Sequence, residues 1–198
     1  GASDTLVEKE VPWNTLKSRW WYLSLAGDSY RLLKPLMRFA ATHQIHVAFN
    51  PSGYHIRHRR QEIIDALPRL TFLVVNAGEA SALTGIDFHR EQEVFQALGR
   101  MTPGIVAVTD GPKGVTVSDG KFLYKAGIFK EKKLVDRTGA GDAFGSGFVA
   151  GLMSCQKQFK RVTFISDDIR YAIRFATANA TAVVEQMGAT EGILTKTQ

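Results

Sequence analysis

The sequence predicts an α/β fold, with a largely parallel central sheet covered on both faces by helices. Three observations carry that expectation. Strand-like runs alternate with helix-spaced segments from residue 20 onward. The strand-like runs are continuously apolar, as strands buried on both faces are. Polar or glycine-rich loops follow one strand after another, at the sheet edge where ligands of open α/β folds bind.

Taken in order, "WWYLSL" (20–25) is a bulky, apolar strand. "SYRLLKPLMRFAATH" (29–43) has helical spacing, and Pro35 within it predicts a kink or a restarted helix. "IHVAFN" (45–50) is a strand and "PSGY" after it a loop, while "HRRQEIIDAL" (58–67) is helical. "TFLVVN" (71–76) is a strand ending on a polar residue. "AGEASALTG" (77–85) predicts a short helix closed by Gly85. "HREQEVFQALGRM" (89–101) is an amphipathic helix, and "GIVAVTDG" (104–111) a strand running into a turn. "GVTVSDGKFLYKAG" (114–127) reads as a hairpin through Asp119-Gly120. "AGDAFGSGFVAGLM" (140–153) and "DIRYAIRFATANATAVVEQM" (168–187) are the closing helices. Without repeats or a linker, one α/β domain over residues 1–198 accounts for the pattern.

Composition narrows the function classes. The chain has 198 residues, of which 44% are hydrophobic, enough for an ordinary globular core. No apolar run reaches the roughly 18 residues of a membrane span. The opening "GASDTLVEKE" lacks the basic start and apolar stretch of a signal peptide. The single cysteine, Cys155, precludes an internal disulfide, so a cytoplasmic location is expected. The net charge of +6 concentrates in "RHRR" (57–60) and "KEKK" (130–133). Neither cluster interleaves with aromatics, so solvated faces are expected rather than a nucleic-acid surface. A positive field also suits a phosphorylated ligand such as ATP. His55 and His58 are spaced as a metal pair, but no third ligand accompanies them.

The densest chemical signal is "LVDRTGAGDAFGSGFVAGL" (134–152). It is not a Walker A loop, because no G-x-x-x-x-G-K-[ST] is present. Gly145, Gly147 and Ala150 formally match a dinucleotide fingerprint, but they fall inside the predicted helix rather than at its entry. Gly145, Gly147 and Gly151 are expected to let that helix approach the sheet closely. "TGAGD" lies just before the helix, where N–H groups lack partners and the dipole is positive. Gly139 and Gly141 can turn those groups onto an anion, with Asp142 beside it in the first turn. That suits phosphoryl transfer: donors for developing charge and a carboxylate to take a hydroxyl proton. A purely structural alternative, Asp142 as a cap and the glycines as a turn, fits this stretch equally well on its own.

"DRTGAGDAF" (136–144) resembles the C-terminal signature of the PfkB, or ribokinase-like, carbohydrate kinases. "NAGEA" (76–80) resembles that family's N-x-x-E element, and "TDGPKG" (109–114) its nucleotide loop. "NPS" (50–52) is also usual after the preceding strand. The order matches, and the resemblance covers most of the chain from residue 20 onward. It implies a three-layer αβα ribokinase-like fold and an ATP-dependent kinase acting on a sugar hydroxyl, or on a nucleoside. On this resemblance Asp142 is the catalytic base. The N–H groups of Gly139, Ala140, Gly141 and Asp142 form the anion hole. Asn76 and Glu79 help hold Mg²⁺ and the phosphates, and Thr109, Gly111 and Gly114 line the nucleotide. A monovalent cation such as K⁺ is implied near Asp136 and Thr138, with Gly188 as a match to the second loop of that site. Asn179 is a candidate for the nucleotide wall, with a helix-packing amide as the slightly favoured alternative. The implied partners are ATP and a small sugar or nucleoside, with a homodimer as the assembly, and neither nucleic acid nor membrane.

Two departures from the family pattern stand out. Arg137 occupies a position where the family more often has a small residue such as threonine. The N-terminal strands and lid, which carry most sugar contacts, have no counterpart, and "GASDTLVEKEVPW" reads as mid-protein sequence. A truncated chain or a fragment is therefore expected. Activity of the chain alone, or a nucleotide-binding remnant without catalysis, are the alternatives that follow.

Overall fold

A computed structural model describes residues 6–130, 133, 135–136, 138–159, 163–188 and 191–194. Six strands lie in one sheet in chain order: β1 (Trp20–Leu23), β2 (His46–Phe49), β3 (Phe72–Asn76), β4 (Ile105–Thr109), β5 (Val115–Ser118) and β6 (Leu123–Ala126). β1, β2 and β3 pair in parallel, with Trp20 opposite His46 and Ala48 opposite Phe72. β5 and β6 form the expected hairpin, so the sheet is mixed. The helices are α1 (Leu33–Thr42), α2 (Gly53–His58), α3 (Arg60–Ala66), α4 (Ala77–Thr84), α5 (Glu91–Met101), α6 (Ala140–Phe159) and α7 (Ser166–Val184).

The chain divides into two compact units. The first comprises Gly1–Val108 and Ser118–Leu123, the second Thr109–Val117 and Tyr124–Gln198. In the first, β3 buries Phe72 through Val75 and β4 buries Ile105 through Val108. That is why both read as unbroken apolar runs. Phe49, Leu73, Leu83 and Leu98 anchor the core around them. Each such side chain contributes about 1.5–3 kcal/mol when fully buried. Val11, Leu32 and Leu36 form a smaller cluster covered by Trp13 and Trp21. Trp20 stacks on His46 at 4.9 Å between ring centroids. Burial holds the His46 pKa below the usual imidazole range, with Arg19 adding to the effect.

Local chemistry explains where elements begin and stop. Pro35 falls in the first turn of α1, after a 3₁₀ segment over Gly27–Leu32. A first-turn proline gives up no intrahelical bond, so the helix restarts there rather than kinks. The expected loop at "PSGY" is corrected. The Ser52 hydroxyl accepts from the His55 N–H, so α2 already starts at Gly53. The expected single helix over 58–67 is also broken. Arg59 N–H donates to His55 O at 2.6 Å, and Arg59 itself (φ −133°) separates α2 from α3. Gly85 closes α4 at φ 75°, as expected of a left-handed C-cap.

In the second unit, α6 and α7 pack through small residues. A Cβ on Gly147 would stand 3.1 Å from Ala176 Cα, and one on Gly151 only 2.8 Å from Ala172 Cα. Each pair is spaced by four residues, so a glycine ridge of α6 meets an alanine ridge of α7. The expectation that these glycines face the sheet is therefore corrected: Gly147 and Gly151 face α7. Gly145 is buried on the same helix.

Candidate active site

Asp136 organises the entry to the glycine run. Its Oδ1 accepts from Thr138 N at 2.8 Å, and its Oδ2 from Gly188 N at 3.4 Å. The two segments implied for a monovalent cation are thus joined at one carboxylate. Val135 and Asp136 N–H groups both donate to Val184 O at the end of α7, fixing this loop from behind. Gly139 then turns at φ 81°, a region that glycine enters without Cβ strain. Its carbonyl accepts from Ala143 N at 2.8 Å, which makes Gly139 the N-cap of α6.

Ala140, Gly141 and Asp142 follow as the first turn of α6. The first N–H groups of a helix have no intrahelical acceptors and carry the positive end of its dipole. Gly141 is exposed, and none of the described residues lies within 4 Å of where its Cβ would be. The turn therefore has room for a ligand against its backbone. Asp142 is exposed beside it. Arg137 lies outside the described residues.

The Thr109–Gly114 loop closes on itself. Lys113 N donates to Asp110 O at 3.0 Å, Asp110 N to Gly114 O at 2.8 Å, and Lys113 Nζ pairs with Asp110 Oδ2 at 3.0 Å. Its glycines serve different ends. Gly111 (φ 53°) faces open space, whereas a Cβ on Gly114 (φ 91°) would stand 2.0 Å from Ala126 O. Asn179 is buried, and both ends of its amide are used. Its Nδ2 donates to Ala143 O at 2.8 Å and its Oδ1 accepts from Leu194 N at 2.9 Å. These bonds are those of a helix-packing amide.

Asn76 and Glu79 belong to the first unit and form a capping box on α4. Asn76 Oδ1 accepts from Glu79 N, and Glu79 Oε2 from Asn76 N, each at 2.8 Å. The spacing that reads as N-x-x-E thus has a local folding purpose besides any chemistry. Glu79 Oε1 turns toward Gly53, 3.4 Å from where a Cβ would be, and Arg57 Nη1 lies 3.5 Å from the same point. Sequence reasoning passes over Gly53 and Arg57. The available signal is Ser52, a cap residue one position before Gly53. The neighbouring Tyr30 hydroxyl is buried without a partner among the described residues. Burial pushes its phenol pKa up, and the negative charges of Glu62 and Glu79 add to the rise.

Both histidines of the pair are engaged in hydrogen bonds. His55 Nε2 lies 3.1 Å from Gly27 O, a pure acceptor, so Nε2 carries the proton. Nδ1 then accepts from Ser52 Oγ at 2.6 Å. His58 Nδ1 engages Tyr54 O instead. Among the described residues no group of three or more His, Cys, Asp or Glu side chains could hold a metal. The Glu79 carboxylate suits Mg²⁺, which is commonly held by one or two carboxylates together with substrate phosphates. No described helix is long and apolar enough to cross a membrane.

Comparison with known proteins gives the family and the fold. The chain is 29% identical to cytidine kinase of Thermococcus kodakarensis over 153 residues, covering 76% of this chain and 54% of the relative. It is 34% identical to ribokinase of Haemophilus influenzae over 136 residues, covering 67% and 40%. The chain thus spans about half the length of these relatives. In fold it matches the fructokinase of Vibrio cholerae O395, solved with fructose, ADP and calcium ion. That match has a TM-score of 0.78 at 20% identity and covers 98% of this chain and 63% of the other. The fold is accordingly α/β and ribokinase-like. The description "pfkB family carbohydrate kinase" matches residues 21–196, and the chain belongs to that family.

Proposed function

We propose that the chain is the nucleotide-binding, catalytic part of an ATP-dependent phosphotransferase that moves the γ-phosphate to a hydroxyl of a small sugar. The observation that carries this reading is the left-handed turn at Gly139, which leads straight into the exposed first turn of α6 bearing Asp142. On this reading residues 1–198 form one catalytic domain of a cytoplasmic enzyme.

The Asp142 carboxylate takes the proton of the acceptor hydroxyl as its oxygen attacks the γ-phosphorus. The new O–P bond forms as the bond to the β-phosphate oxygen breaks, and ADP leaves. The N–H groups of Gly139, Ala140, Gly141 and Asp142 hold the charge that develops on the transferring group. Thr109, Gly111 and Gly114 line the nucleotide. Asn179 shapes the nucleotide wall through the two backbone groups it holds. Mg²⁺, when bound with the nucleotide, neutralises phosphate charge. Glu79, oriented by its bond to Asn76 N, would help hold that ion together with Asn76. Asp136, Thr138 and Gly188 would hold a monovalent cation such as K⁺.

A nucleoside acceptor is the second reading, favoured by the 29% identity to a cytidine kinase. Release of ADP measured with a panel of sugars and nucleosides separates the two. Sugar-dependent release supports the first and nucleoside-dependent release the second. ATP binding without release on any acceptor contradicts catalysis by this chain.

A further inference from the structure

The first unit contains a cleft of about 570 Å³ that none of the candidate active-site residues lines. One wall is the C-terminal half of α5, with Phe95, Gln96 and Arg100, and the other is the β5–β6 turn, with Lys121, Phe122 and Leu123. The volume lies within the range of about 300–1,000 Å³ typical of small-molecule sites.

Three features point to a ligand. Arg100 and Lys121 are both exposed, no carboxylate lines the cleft, and neither cation has an ion-pair partner among the described residues. The nearest acid in the turn, Asp119, has its Oδ1 engaged by the N–H groups of Lys121 and Phe122. Phe122, 59% exposed, and the buried Phe95 both line the cleft. An exposed aromatic face beside a concavity offers a surface on which a planar ring can stack.

The third feature is Gly99. It sits inside α5 with none of the described residues within 4 Å of a would-be Cβ and no left-handed φ. Packing and backbone conformation therefore do not require glycine there, and a helix favours nearly any other residue. Gly120 across the cleft opens on the same kind of empty space. Gly120 is required by its φ of 84°, so Gly99 is the glycine of this cleft that neither packing nor backbone explains.

We propose that this cleft binds a mononucleotide-sized anion, a planar ring carrying a phosphate. The ring lies against Phe122 above the bare backbone of Gly99, and the phosphate meets Arg100 and Lys121. Rings stack on aromatic faces, and guanidinium groups bind phosphate through two donors.

The test is titration of the ¹⁵N-labelled chain with AMP, with adenosine and inorganic phosphate as probes that lack one half each. Saturable shifts of the amides at 96–104 and 119–123 are expected with AMP. Adenosine and phosphate are expected to bind there about tenfold or more weakly. Gly99→Leu suits a helix, so it should leave the melting temperature unlowered while abolishing those shifts. Arg100→Gln with Lys121→Gln should weaken them about tenfold and decides the matter if Gly99→Leu does not fold. AMP shifts confined to 109–114 and 139–142 overturn the proposal, as does unchanged binding in the folded variants.

Discussion

Gly151 of α6 lies so close to Ala172 of α7 that a Cβ on the glycine would stand 2.8 Å from the alanine Cα. The contact is backbone against backbone, so no side chain can swing away to relieve it. Gly151→Ala is therefore expected to destabilise the protein by about 1–3 kcal/mol, although alanine is the better helix former. Urea unfolding measures this. A stability equal to or above the parent would show that the helices separate at no cost.

Asn179 ties the same two helices together at their polar end. Asn179→Leu removes both amide bonds: the Leu194 N–H loses its acceptor, while the Ala143 carbonyl keeps the Ser146 hydroxyl. The expected cost is about 1–3 kcal/mol for each group that stays buried and unpaired. Thermal unfolding reads it, and a neutral substitution would mean that neither bond holds the packing.

Glu79 offers a separation between folding and chemistry. Its Oε2 accepts from Asn76 N, and a glutamine amide oxygen can do the same. Glu79→Gln is thus expected to leave stability within about 0.5 kcal/mol. The Mg²⁺ concentration needed for half-maximal turnover should rise several-fold. An unaltered Mg²⁺ response would remove Glu79 from the ion's coordination sphere.

How much of this is legible in the sequence depends on the range of the physics involved. β3 and β4 announce themselves because burial on both faces forces an unbroken apolar run. Gly85 and the Asp119-Gly120 turn are equally plain, since a positive φ at Gly85 and Gly120 is a local demand. Ser52 illustrates the limit: a serine after proline reads as loop until its hydroxyl is seen to accept from His55 N. The partner of Gly147 and Gly151 is not legible at all. A small helix face can meet a sheet or another helix, and only tertiary structure decides. The same holds for the Gly188 N–H on the Asp136 carboxylate, a contact across 52 positions of chain. The left-handed turn at Gly139 is legible through its place just before a helix, whereas the capping bonds of Asn76 and Glu79 lie hidden beneath a motif read for its chemistry.

The most direct test of the proposed mechanism is the rate of acceptor-dependent ADP release by the chain and by its Asp142→Asn variant, with ATP affinity measured alongside. Loss of turnover by at least about a hundredfold, with ATP affinity held within a few-fold, is the expected result. Undiminished turnover in the variant would contradict Asp142 as the base and with it the proposed chemistry of the α6 N-terminus.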